Sequence, residues 1–330
     1  MFPGPPPERP SAAPAPAEPE LVEPLPEPPS TRSKPPTVAG VRARLNAPPS
    51  ASRPFVTALV LVVSLALFVY FTAADVWQTT AVLVGVLFVH ELGHYIGMRA
   101  FGYRDVKMFF IPFLGAAVSG RNHTAPPWQQ GVVLLLGPLP GVALGCALLP
   151  VTQLDPVVAQ AAFMLVLLNA FNLLPVPPLD GGRLLEVLLF NRYALLAAAT
   201  RLAAAGVLFL IAFAINATPL GVLGGIMAAT VPLVYRQGVG VAAFRRAHPD
   251  LPSDPADLTD EELAELIDLL NQMFKQGLSD RNATEWVRVL HGQAVTPVAT
   301  APQVFALLAA YAAGVVAAVG FFVVHFILTR

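Results

Sequence analysis

Charge and cysteine are the two things this chain has little of. Only 12% of its 330 residues are charged, about half the share of a soluble globular domain. Apolar residues make up 55%, and the mean hydropathy is +0.63. Too little of the chain is polar to cover a water-facing surface, so it is expected to lie in a lipid bilayer. Cys146 is the single cysteine and stands in an apolar run, which excludes an internal disulfide and any cysteine-based metal site. It reads as a small buried hydrophobe. The net charge of -1 excludes a strongly basic surface, and no nucleic-acid partner is expected. No basic-then-apolar pattern opens the chain, so no signal peptide is expected.

Proline is plentiful but uneven. Seventeen of the 34 prolines fall in residues 1–54, which carry almost no aromatics and no periodic apolar pattern. Such a segment cannot bury enough surface to offset its ordering entropy, and it is expected to be a disordered cytosolic tail. Its proline clusters suit an SH3-like partner; a plain linker is the simpler reading.

Beyond residue 54 the apolar runs reach span length. A hydrocarbon core of about 30 Å needs roughly 20 apolar residues as a helix. The runs are 55–73, 79–100, 131–151, 157–175, 195–215, 220–235 and 304–328. They predict an all-α polytopic membrane protein of about 6–7 transmembrane helices. With the N-terminus in the cytosol, the outside loops 74–78, 152–156 and 216–219 hold no Lys or Arg, and of the 20 basic residues only Arg330 falls outside. That is a positive-inside pattern. Residues 101–127 contain "VKMFFIPFLGAAVSG", rich in β-formers and glycine, and predict a small sheet or re-entrant loop.

Four units follow: a tail over 1–54, a membrane-embedded core over 55–236, a small cytosolic helical insert over 237–302, and a last span over 303–330. Inside the insert, Thr259 to Glu262 form a capping box. Leu263, Leu266, Ile267, Leu270 and Phe274 follow at helical spacing, Gly277 fits a C-cap, and a second short helix is expected over 283–290.

The chemistry begins at "FVHELGHYIGMRA". His90 and His94 stand one turn apart on a helix, where two imidazoles can share one metal ion. Glu91 points off the neighbouring edge, placed to take a proton from an activated water. Three ionisable groups within an apolar span are costly without a metal or protein partners. A zinc site of this kind needs a third protein ligand. The candidate is Asp180, in "NAFNLLPVPPLDGGRLLE". Asn169 and Asn172 share a helix face there, and Pro175, Pro177 and Pro178 end the helix. The Gly181–Gly182 pair is expected to free the backbone so that Asp180 turns inward. Taken alone, Asp180 would read as a helix N-cap; beside the histidine pair it reads as a ligand. His90 lies nine residues before Arg99, about 13 Å along the helix, and Asp180 lies close before Arg183. Both therefore sit toward the same face of the membrane.

The motifs "HELGH" and "NLLPVPPLDGG" together resemble the site-2 protease family of intramembrane zinc metalloproteases (peptidase M50-like), over residues 79–192. The resemblance implies one Zn2+ on His90, His94 and Asp180, and Glu91 as general base. It implies Asn172 as a residue that handles substrate near the metal. "GPLPG", from Gly137 to Gly141, resembles a glycine motif of the family's intervening core helix; close packing with proline kinks is an equal reading. No PDZ-like insert separates the motifs, and the 237–302 insert is too short and helical for a CBS pair. The tail and last span look like additions of this lineage.

The function implied is peptide hydrolysis within or near transmembrane segments of membrane-anchored substrates, as in regulated intramembrane proteolysis. The lipid bilayer is the other partner, and a bacterial inner membrane with a cytosolic N-terminus is the expected place. The alternative is a catalytically silent membrane binding or adaptor protein, which would have no need of Glu91. A zinc transporter would need a chain of ligands, and His123, His248, His291 and His325 form no such path.

Overall fold

The computed structural model describes residues 35–47, 54–72, 77–111, 115–121, 124–190, 193–274 and 277–328. The tail over 1–34, most of the 74–78 loop, His123 and Arg330 lie outside the described residues.

The apolar runs form helices, as their length and composition require. They are α2 (Pro54–Thr72), α3 (Trp77–Ala100), α4 (Pro127–Leu136), α5 (Pro138–Leu148), α6 (Pro156–Asn172), α8 (Ala194–Ala214), α9 (Thr218–Ala247) and α12 (Ala301–Leu328). Among the described residues, five lengths are long and apolar enough to cross a membrane: Trp77–Ala100, Pro127–Val151, Ala194–Ala214, Leu220–Ala247 and Ala301–Leu328. Phe55–Tyr70 and Pro156–Asn172 are shorter apolar helices. Helix α6 shows a local start signal: Asp155 accepts from the Val157 and Val158 N–H groups at 2.6 and 3.1 Å, and Pro156 fills the first turn.

The β-rich stretch after α3 is an antiparallel pair, β1 (Arg104–Ile111) and β2 (Gly115–Arg121), in which Met108 faces Val118 and Phe110 faces Ala116. Strand β1 leans on α2: the Phe110 N–H donates to Ser64 Oγ at 3.0 Å, and the Phe68 and Phe110 rings pack 5.7 Å apart. Strand β2 lies against α3. The pair is thus wedged beside the helix that carries the histidines.

The last span is no appendage. Leu307, Ala318 and Phe321 of α12 are buried in the same cluster as Leu134, Val142, Val166 and Leu184. Tyr311 donates its hydroxyl to the Leu173 carbonyl at 2.8 Å, just where α6 ends. Composition showed a span here; only its packing shows that it braces the break before Asp180.

The polar unit also departs from its sequence reading. Helix α9 continues unbroken to Ala247 rather than ending near 235, because Val241 and Phe244, one turn apart, bury against α10 (Asp260–Met273) and α11 (Asp280–Val295). The capping box closes α10 as its sequence predicts, and Gly277 takes a positive φ of 71° in the turn beyond. Helix α11 is longer than 283–290, starting at the Ser279 cap.

Within the 1–54 stretch, Val38–Leu45 form a helix, α1, capped by Thr37. Eight residues are too few to hold a helix alone in water. Docking supplies the difference: Val41 and Leu45 are buried in the α9–α10–α11 core, each worth about 1.5–3 kcal/mol. Arg42 meets Asp260 at 2.6 Å, and the Thr37 N–H donates to Asp280 at 3.0 Å. The docking residues stand far away in sequence, so nothing local betrays the helix.

His291 is fully buried at the centre of this unit, with Nε2 donating to the Pro252 carbonyl at 2.9 Å. Burial holds its pKa below the usual 6.5, against the Pro252 carbonyl and the Asp254 and Glu262 charges. The folded chain therefore keeps His291 neutral, while the unfolded chain takes up a proton near 6.5. Stability from this group is complete above 6.5 and falls as pH drops toward the lower folded value. The Tm gap between wild type and His291→Gln is expected to narrow from about pH 7 to about pH 5. A constant gap would assign the residue a packing role only.

Candidate metal centre

Three side chains from two separated stretches meet inside the bundle. Helical spacing puts His90 and His94 on one face of α3, and α7 (Asp180–Leu185) brings Asp180 against them. The donor atoms form a tight triangle: His90 Nε2 to Asp180 Oδ2 is 3.2 Å, His94 Nε2 to Asp180 Oδ2 is 3.1 Å, and the two Nε2 atoms are 3.2 Å apart. All three residues are buried.

What fixes the two rings identifies the free atoms. The His94 Nδ1 lies 2.8 Å from the Val133 carbonyl, which can only accept, so that nitrogen carries the proton. The His90 Nδ1 lies 2.8 Å from Asn169 Oδ1. The amide orientation is set in turn, because Asn169 Nδ2 donates to the Leu165 carbonyl at 2.7 Å. With Nδ1 taken up in each ring, both Nε2 atoms are left to face the carboxylate. Such a triangle repels itself unless a cation or a proton sits among its corners. A tetrahedral ion with bonds of about 2.0–2.1 Å holds its donors roughly 3.3 Å apart, which matches the spacing found. Two imidazoles and one carboxylate suit zinc and leave a fourth position open.

Glu91 is buried at 6% exposure, in electrostatic reach of His90, His94 and Asp180, and its carboxylate accepts from the Val118 backbone N–H of β2. Asn172 is half-buried and donates to the Leu168 carbonyl at 3.1 Å. The amide on His90 is that of Asn169, one turn earlier. The sequence pointed to it only as one of two asparagines that share a helix face. The Val133 carbonyl left no signal, since a backbone acceptor has no sequence letter.

The glycines around the site provide room. A Cβ on Gly137 would strike the His94 ring, and one on Gly141 would strike the Asn169 amide. "GPLPG" thus lets the α4–α5 bend approach both His94 and Asn169, the residue that holds His90. Gly181 and Gly182 likewise sit in close contact with the backbone of Leu173 to Pro177. They allow close packing rather than an unusual backbone, for both are in α7 and neither has a positive φ. The cap of α7 is Leu179, which leaves the Asp180 carboxylate for the histidines.

Asn169 yields a test. Asn169→Ala removes the acceptor that holds His90 Nδ1 and is expected to weaken zinc binding by about 10- to 100-fold. A competition titration with a chelating dye measures this. An unchanged affinity would mean that packing alone orients the ring.

Residues 78–157 and 150–215 match the model of peptidase family M50. A zinc metalloprotease of Methanocaldococcus jannaschii is 28% identical over 147 residues, 42% of this chain and 42% of that protein. The stage IV sporulation protein FB of Bacillus subtilis is 32% identical over 115 residues, 33% of this chain and 39% of that protein. The chain thus spans about two fifths of the length of these curated relatives. Among solved structures, a site-2 protease from Methanocaldococcus jannaschii aligns with a TM-score of 0.39 at 22% identity, covering 55% of this chain and 88% of that one. The match takes in His90, Glu91, His94, Asn169 and Asp180 together, so it is through residues 78–215 that the chain is similar to peptidase family M50.

Proposed function

We propose that this protein is an intramembrane zinc metalloprotease that hydrolyses peptide bonds within or near the transmembrane segments of membrane-anchored proteins, as in regulated intramembrane proteolysis. The observation that carries the reading is the buried triangle of His90 Nε2, His94 Nε2 and Asp180 Oδ2 with Glu91 beside it.

Zinc held by His90, His94 and Asp180 would supply an acidified water, with a pKa of about 7, and a Lewis acid for the scissile carbonyl. Glu91 accepts the proton of the attacking water and passes it to the leaving amine. Asn169 and Val133 keep the two imidazoles turned toward the centre, so no reorientation is needed during reaction. The surrounding helices restrict bulk water, which strengthens each of these charges.

A helical substrate must unwind before its backbone can be attacked, and β2 is placed to receive the extended strand. The Phe110 N–H points away from β2 to Ser64. Antiparallel alternation then puts the Val118 N–H on the outer edge of β2, the edge that meets Glu91. Among the described residues no third strand pairs there. A peptide added along this edge would run past the metal centre. Asn172 is assigned to holding the substrate near that centre. The basic residues favour a cytosolic N-terminus, and the bacterial relative favours a bacterial inner membrane.

The test is cleavage of a single-span substrate by the full chain in liposomes. Cleavage should stop with a chelator and return with zinc. Asn172→Ala should keep zinc but lower kcat/KM by about tenfold or more, if one substrate hydrogen bond is lost. Cleavage that ignores the chelator would remove the metal from the mechanism.

A further inference from the structure

Away from the metal centre, a cavity of about 390 Å³ opens between the membrane core and the polar helical unit. Its walls come from α4, α7, the π-helical turn at Glu186–Phe190, the start of α8, the second half of α9 and the end of α11. The volume is in the range of a small-ligand pocket.

Its charge is one-sided. Arg183, Arg201 and Arg245 line it, and Glu186 is the only carboxylate among the lining residues, so three positive charges face one negative. Arg201 is the arginine that Glu186 pairs with, at 3.1 Å, and its buried Nε still has no partner among the described residues. Arg245 directs Nε at the Ala294 carbonyl at 2.8 Å and Nη2 at the Gln293 carbonyl, which fixes its fork without neutralising it. Arg183 makes no ion pair among the described residues. Arg183 and Arg245 are exposed and Arg201 is half-buried, so this excess of two positive charges at the cavity attracts an anion. Arginine forks suit the phosphate group above other anions. Val187, Leu188, Val234 and Val298 add an apolar wall to the same cavity.

We propose that this cavity binds a phosphate-bearing anion, held by Arg183, Arg201 and Arg245. The source is either the headgroup of an anionic phospholipid, with its chains on the apolar wall, or free phosphate from the water side. Basic pockets between membrane helices at the water boundary are suited to such headgroups. Arg183 stands three residues after Asp180 on α7, so an occupant would tether the element that carries a metal ligand.

The experiment uses the full chain, delipidated in neutral detergent and followed by native mass spectrometry. It is titrated separately with phosphatidylglycerol, phosphatidylcholine and inorganic phosphate. Phosphatidylglycerol is expected to bind at least about tenfold tighter than phosphatidylcholine. Arg183→Gln/Arg245→Gln should erase that preference, while Arg246→Gln, on α9 but outside the cavity, should keep it. Saturable phosphate binding lost in the same double variant, with no lipid preference, would support the site and assign its source to free phosphate. The proposal is overturned if neither probe binds selectively, if the preference survives the double variant, or if Arg246→Gln abolishes it equally. Zinc content in every variant shows that the fold is intact. The protease reading stands or falls apart from this result.

Discussion

Glu91→Gln is expected to retain zinc and lose cleavage by roughly 10²- to 10⁴-fold. The reason is geometric. Glu91 is not a corner of the donor triangle, so the amide leaves the ligand set of His90, His94 and Asp180 untouched. Glutamine has the same shape and can still accept from the Val118 N–H that meets Glu91. What it cannot do is take a proton from water. Metal analysis and cleavage on the same preparation separate the outcomes. Zinc in both proteins with cleavage only in wild type assigns the base. Equal cleavage by both would overturn its role. Cleavage by neither would favour the silent binding protein.

Asp180→Asn is expected to act the other way, by losing the metal first. The substitution keeps the volume but removes the one negative charge among the three donors. A four-ligand zinc site is worth about 10–16 kcal/mol in all, so roughly 3–4 kcal/mol falls to each ligand. Zinc affinity should therefore drop by about 10²- to 10³-fold, and activity should fall with it. Excess zinc should restore part of the activity in Asp180→Asn but none in Glu91→Gln, a contrast that a purely structural defect would not produce. Were Asp180→Asn to hold zinc as tightly as wild type, the ligand set would be wrong.

Much of this architecture is local in origin. The apolar runs are long enough to span and too poor in charge to do otherwise, and the strands after α3 follow from their β-formers. The histidine pair follows from the helical period alone. Asp180 was legible only in company, because a carboxylate before two glycines reads equally well as a cap. The misread parts share one cause. The α1 helix, the full length of α9 and the packing of α12 each depend on partners distant in sequence, with Asp260, Asp280, Phe244 and Leu173 among the contacts that decide them.

By itself, then, the sequence determined a polytopic helical membrane protein, the imidazole pair with its neighbouring carboxylate, and the stretch that holds Asp180. These depend on composition and on spacings within one turn of chain. Only the tertiary structure decided that Asn169 steadies His90, that the Val133 carbonyl steadies His94, and that Gly137 and Gly141 make room for both arrangements. It also decided that three arginines from α7, α8 and α9 share one cavity. The physical reason is the same in each case. A ring nitrogen is oriented, and a charge is left unanswered, by whichever group the fold brings within about 3 Å, and no local pattern of residues encodes that approach.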